Sequence, residues 1–207
     1  MKGFIEACKI GDNEMVKRLL PSVDPSAHDN AAIRYASMNG HVEAVRLLLD
    51  DGRANPSASG NYPIRYASEN GHVEVVRLLL ADTRVDPSAN DNYAIRWASK
   101  KGHVEVARLL LDDPRVDPSD DDNFVIRWAT HNNHKEVVRL LLIDPRVEPA
   151  ARNNYPIRWA SYNGNVEIVK LLLQDSRVDA SKAESTNPEI NELLAQWKYH
   201  PCRDSSL

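Results

Sequence analysis

Histidine, arginine, aspartate and aromatic residues recur along this chain at fixed intervals, and each type could carry chemistry. His41, His72 and His103 each follow a glycine and stand 31 residues apart. Imidazole is a common zinc ligand, but neighbouring packed helices lie roughly 8–10 Å apart and a zinc–nitrogen bond is about 2 Å. Histidines on successive helices are therefore poorly placed to share one ion, and a structural role at the start of a helix is expected of them. His131 and His134 are three residues apart, yet they straddle an expected helix break and have no cysteine nearby. No metal site is expected.

Asp120, Asp121 and Asp122 form the one dense acidic run. The spaced ligands and turn glycine of a calcium loop are missing. Two readings stay open: a contact for a basic partner, or a plain exposed tip. The chain has no Gly-x-Ser-x-Gly elbow, no phosphate-binding glycine loop and no Cys/His pairing suited to nucleophilic attack. Neither enzyme activity nor a cofactor is expected.

Seventeen arginines would suit a phosphate-reading stripe, but their neighbours argue otherwise. Glu43 and Arg46, Glu74 and Arg77, Glu105 and Arg108, Glu136 and Arg139, and Glu167 and Lys170 are i, i+3 partners on one helical face. Each such pair stabilises by about 0.2–0.5 kcal/mol. In the loops Arg84 precedes Asp86, Arg115 precedes Asp117 and Arg146 precedes Glu148. Such a surface neutralises itself, and the net charge of −4 gives no general attraction to nucleic acid or an anionic membrane.

These residues are positioned by a repeat. Ile-Arg-aromatic-Ala begins at Ile33, Ile64, Ile95, Ile126 and Ile157, each 31 residues after the last. A fixed period of this size implies an all-α repeat solenoid of stacked helix–turn–helix units with hairpin-like loops, each unit burying its apolar surface against its neighbours. Between Asn92 and Asp122, Ala94, Ile95, Trp97 and Ala98 open a short first helix, which Gly102 ends. A second helix runs from His103 to Leu111, with Val104, Val106, Leu109, Leu110 and Leu111 as its apolar arc. Pro114 and Pro118 punctuate the following loop, with Val116 as its one inward anchor. Asn30, Asn61, Asn92, Asn123 and Asn154 precede successive first helices. They are expected at turn tips, in a backbone conformation that asparagine tolerates. Tyr35, Tyr66, Trp97, Trp128 and Trp159 follow the arginines and are expected to fill the gap between adjacent first helices, rather than to line a peptide groove.

The units resemble the ankyrin repeat. Gly-His-Val-Glu-Val-Val-Arg-Leu-Leu-Leu at 71–80 is similar to the family's second helix, and Pro63-Ile64-Arg65-Tyr66-Ala67 to its Thr-Pro-Leu-His-x-Ala opening. The resemblance covers roughly residues 1 to 180, with three departures. The period is 31, where the family's is about 33. Ala31, Tyr62, Tyr93, Phe124 and Tyr155 replace the family's threonine, and Arg34, Arg65, Arg96, Arg127 and Arg158 its histidine. Short-period repeats of this kind resemble those of protist and giant-virus ankyrin proteins. A buried guanidinium needs partners, so each arginine is expected to donate to loop carbonyls or to an Asn or Asp of a neighbouring hairpin.

The array is expected to span 1–182 as one elongated domain: a degraded capping repeat at 1–29, then five 31-residue repeats from about residue 30. A polar connector at 183–187 leads to a capping or docking helix at 188–200 and a tail at 201–207. Ile190, Leu193, Leu194 and Trp197 give that helix an apolar stripe. Cys8 and Cys202 fall at opposite ends, so no disulfide is expected. The start of the chain has no signal-peptide core, and no run of 18 apolar residues occurs. A soluble, intracellular protein is expected, cytoplasmic with the nucleus left open.

Positions that stay constant from unit to unit serve the stack, and positions that change are available to a partner. Two varying columns lie at the hairpin tips: His28, Ser59, Asn90, Asp121 and Arg152, then Asp29, Gly60, Asp91, Asp122 and Asn153. A third ends the first helices: Met38, Glu69, Lys100, His131 and Tyr162. In proteins that this chain resembles, such positions line a concave binding face. The resemblance therefore implies a non-enzymatic, monomeric protein-interaction module that binds an unidentified polypeptide there, with Met38 and Tyr162 as apolar anchors. Two alternatives stay open: tips that vary because nothing constrains them, and a bridging adaptor whose 188–200 helix recruits a second protein such as degradation machinery.

Overall fold

The computed structural model describes residues 1–199; Cys202 and the tail at 201–207 lie outside the described residues, as does the last position of the expected terminal helix. Among the described residues thirteen α-helices follow one another. They are α1 (Lys2–Ile10), α2 (Asn13–Leu19), α3 (Ala27–Met38), α4 (Val42–Asp51), α5 (Ala58–Glu69), α6 (Val73–Leu80) and α7 (Ala89–Lys101). Then come α8 (Val104–Leu111), α9 (Asp120–His131), α10 (Lys135–Ile143), α11 (Ala151–Tyr162), α12 (Val166–Leu173) and α13 (Pro188–Lys198). No strand occurs among the described residues, and the fold class is the all-α repeat solenoid.

The chain divides into two compact units, Met1–Ala98 with His103–Asp117, and Ser99–Gly102 with Pro118 onward. In the first, α1, α3 and α5 pack in one row and α2, α4, α6 and α8 in another. In the second, α9 packs on α11, while α10, α12 and α13 follow one another in a second row. The second helices bury a narrow arc: Val75, Val76 and Leu79 in α6, Val106, Ala107 and Leu110 in α8, Val137, Val138 and Leu141 in α10. Each buried aliphatic there contributes about 1.5–3 kcal/mol. Val104, Leu109 and Leu111 are only half-buried, so the arc is narrower than expected. The loops hold two inward anchors instead of one: Val116 is buried, and so is Pro118. Cys8 is buried in the first unit, and burial pushes its thiol up to about 12.

The asparagine tips are more unusual than the sequence suggests. In each of α3, α5, α7, α9 and α11 the chain first makes a left-handed turn of three residues. In the first of them His28, Asp29 and Asn30 have φ of 55°, 56° and 56°, closed by a 2.9 Å bond from the Asn30 amide to the Ser26 carbonyl. The right-handed helix follows, and Pro63 and Pro156 sit in its first turn, where a missing N–H matters least. Left-handed backbone costs a residue with a Cβ about 1–2 kcal/mol, with asparagine and aspartate the most tolerant. His28 bears it better than a β-branched residue but lacks the freedom of glycine. His28→Gly is expected to raise the melting temperature and His28→Val to lower it, a spread of about 1–2 kcal/mol that thermal unfolding would read; the reverse order would exclude a left-handed turn here.

Candidate partner-binding face

The constant columns are engaged between repeats. The Nε2–H groups of His41, His72, His103 and His134 donate to the carbonyls of Lys9, Met38, Glu69 and Lys100 at 2.8 to 2.9 Å. Each ring lies on the glycine one repeat back, so that a Cβ at Gly11, Gly40, Gly71 or Gly102 would fall 2.4 to 2.6 Å from its Nδ1. The asparagines carry a second ladder. Oδ1 of Asn30, Asn61, Asn92, Asn123 and Asn154 accepts from the backbone amide of residue 55, 86, 117, 148 or 179, at 2.6 to 2.8 Å. Among the described residues no three His, Cys, Asp or Glu converge as metal ligands, and no helix is long and apolar enough to cross a membrane.

The loop arginines pair differently from the expectation. Arg84, Arg115 and Arg146 bind the aspartate two residues before them, not the acid two after: Asp82, Asp113 and Asp144 each meet the guanidinium in a fork at 2.6 Å. Arg53–Asp51 and Arg177–Asp175 repeat the motif. The turn returns the guanidinium to the earlier carboxylate, which also accepts the arginine's own amide, while Asp86 caps Ser88 instead. The bound guanidinium lowers the carboxyl pKa at all five aspartates. A carboxyl pKa that is lower in the folded chain supplies stability above the unfolded value, about 3.9, and loses it as pH falls through the folded one. The urea midpoint is therefore expected to be insensitive to these groups between pH 5 and 7 (an order-of-magnitude window, about one unit above that reference value) and to fall below about pH 4. Asp113→Asn should lessen the fall. A midpoint that rises on acidification would contradict the assignment. The five helix-face pairs form as expected, at 3.3 to 3.6 Å.

Arginines of the Ile-Arg-aromatic-Ala string donate to carbonyls of their own left-handed turn: Arg34 to Asp29, Arg65 to Ser59, Arg96 to Asp91, and Arg127 to Asp121 and Asp122. Their outer faces lie against aromatic rings, with Arg34 4.7 Å from the Tyr62 ring centre and Arg65 5.2 Å from that of Tyr93. The aromatic residues of the string are half-buried rather than core-filling, and with their neighbours, of which Phe124 is buried, they form a ladder. In the first unit Tyr62, Tyr66, Tyr93 and Trp97 meet ring to ring in sequence. In the second, Phe124, Trp128, His131, Trp159 and Tyr155 do so. Sequence reasoning missed the residues at the threonine position, Tyr62, Tyr93, Phe124 and Tyr155.

The helix-end column meets that ladder. Tyr62 donates to Met38 Sδ at 3.2 Å and Tyr93 to Glu69 at 2.5 Å, and the Tyr155 hydroxyl pairs with His131 Nδ1 at 3.0 Å. Lys100 offers no acceptor, and the residue 24 positions on is Phe124, with no hydroxyl; its ammonium lies over Trp128. This covariation within the chain was the signal that could have revealed the pairing. Tyr162 is the exception at 76% exposed.

All ten tip residues are exposed. Neighbouring tips touch: Ser59 bonds Asp29, and Arg152 bonds Asp122 at 2.8 Å. The acidic run at 120–122 is thus partly compensated by Arg152, and by Arg127 near Asp121. Beside it a cleft of about 260 Å³ brings together Arg127, Trp128, His131, Arg152 and Tyr155. It joins a predicted tip residue to a predicted helix-end residue.

Helix–turn–helix units held together by side chains of adjacent repeats, with exposed variable tips, define a helical-repeat protein. The profile for three-copy ankyrin repeats matches residues 4–91 and 81–153, and that for a single ankyrin repeat matches 152–183. The chain belongs to the ankyrin repeat family, whose repeats are in general protein–protein interaction modules. No protein with a curated description matches it.

Proposed function

We propose that this chain is a non-enzymatic, monomeric, intracellular module that binds a polypeptide through its hairpin tips and the ends of its first helices. One contrast carries the reading. The constant columns of glycine, histidine and asparagine are committed to the adjacent repeat, whereas the ten tip residues are exposed and differ in charge and size. Positions without a packing duty can vary toward a partner. A photo-crosslinking residue at Asp91 or Asp121 is expected to capture one polypeptide from native lysate, and the same residue at Glu105 on the second helix is not. Equal capture from Glu105 would overturn the proposal.

The adaptor reading draws on Tyr199, 85% exposed at the end of α13. Against it, α13 packs on α12, buries Ile190 and Leu194, and bonds Lys170 through Glu189 at 2.9 Å. We favour a cap. Deleting 188–207 should then cost about 3–6 kcal/mol, from two buried aliphatics, seen as a large fall in melting temperature. An unchanged melting temperature would favour a docking helix.

A further inference from the structure

We infer that the end of the aromatic ladder at Arg158, Trp159 and Tyr162 is a receptor for a tyrosine side chain on an acidic segment of the partner polypeptide. The inference rests on the protein-binding reading and narrows it.

The chain supplies its own template for this contact. Tyr93 rests on three residues of the preceding repeat. Its ring centre is 5.2 Å from the Arg65 guanidinium and 5.8 Å from the Tyr66 ring, and its hydroxyl donates to Glu69 at 2.5 Å. Tyr62 likewise covers Arg34 at 4.7 Å and donates to Met38 at 3.2 Å. The corresponding trio in the last repeat is Arg158, Trp159 and Tyr162. Here the period has ended, and the residue 31 after Tyr155 is the exposed Thr186 of the connector. Among the described residues no ring beyond Tyr155, Trp159 and Tyr162 lines the cleft at this rung. The trio instead lines an open cleft of about 390 Å³, flanked by Lys182 and Glu184.

The groups around the cleft select its occupant. Among the described residues Arg158 makes none of the tip-carbonyl bonds made by Arg34, Arg65, Arg96 and Arg127, and its Nε, like those of Arg34, Arg65 and Arg96, is buried without an acceptor. A guanidinium so placed favours an aromatic face. The Tyr162 hydroxyl takes the place of the Met38, Glu69 and His131 acceptors. Arg158 and Lys182 outnumber Glu184, so acidic flanking residues are favoured and a cationic occupant such as a methylated lysine is not.

The test is a titration of the labelled full-length chain with acetyl-Glu-Asp-Tyr-Asp-Glu-amide, followed by the Trp159 indole resonance. The tyrosine peptide is expected to bind at least about tenfold more tightly than its alanine counterpart, and about threefold more tightly than the phenylalanine one, the worth of one modest hydrogen bond. Arg158→Gln should weaken binding about three- to fivefold. Arg65→Gln, on a rung that is already filled, should leave it unchanged, with melting curves checking both variants. Equal affinity for the tyrosine and alanine peptides, no binding, or indifference to Arg158→Gln would overturn the inference. If tip crosslinking to a partner persists in those cases, only this inference falls and the protein-binding reading stands.

Discussion

Gly71→Ala is expected to destabilise the chain by about 3–5 kcal/mol, a large part of the roughly 5–15 kcal/mol that holds a domain together. Two effects act together. Gly71 has a φ of +77°, which costs alanine about 1–2 kcal/mol. The new Cβ would also lie 2.6 Å from Nδ1 and 2.8 Å from Cε1 of His103, and relieving such overlap costs about 1–3 kcal/mol. Moving the ring would in addition break its bond to the Glu69 carbonyl. The chain contains its own remedy. Asn133 takes the glycine's place in the fourth 31-residue repeat with φ of 60°, and Asn165 takes the histidine's place one repeat later. Gly71→Asn alone should therefore be damaging, and Gly71→Asn with His103→Asn should recover at least about 1 kcal/mol of the loss, as coupled neighbours do. Additive losses in a urea-unfolding cycle would show that the two positions do not interact.

Asn61→Ala is expected to cost about 2–4 kcal/mol. Alanine bears the left-handed backbone poorly, and losing Oδ1 leaves the Asp86 amide without its acceptor, worth about 1–3 kcal/mol when buried. Asn61→Gly separates the two terms, since it keeps the backbone and removes only the acceptor; it should cost about half as much. Repeat arrays can unfold in parts, so a local readout is preferable. Hydrogen exchange at the Asp86 amide should accelerate in both variants. Unchanged exchange would mean that the amide finds another partner.

Much of this fold was legible because a strict period exposes what each repeat must share. The glycine stops, the second helices and the Glu–Arg pairs follow from spacing alone, since a helix places i and i+3 on one face. The loop pairs did not. Arg84 has an aspartate two residues to either side, and only the turn decides for Asp82. The constant asparagine pointed to a left-handed residue at 30 or 61, but not to the two left-handed residues before it, whose identities vary. The tyrosine contacts join residues 24 apart in different repeats, beyond any local pattern. For the candidate face, variation located the exposed tips, yet it could not separate them from a helix-end column whose side chains mostly engage the next repeat.

The central claim is that the tips are dispensable to the stack and needed by the partner. His28, Asn90, Asp121 and Arg152 should be replaced together by glycine, which keeps the left-handed turns. Melting temperature and capture of the crosslinked partner are then measured on the same preparation. We predict a melting temperature that is unchanged or raised, with capture lost. Capture retained by a folded variant, or a stack that falls apart without these four side chains, would contradict the account.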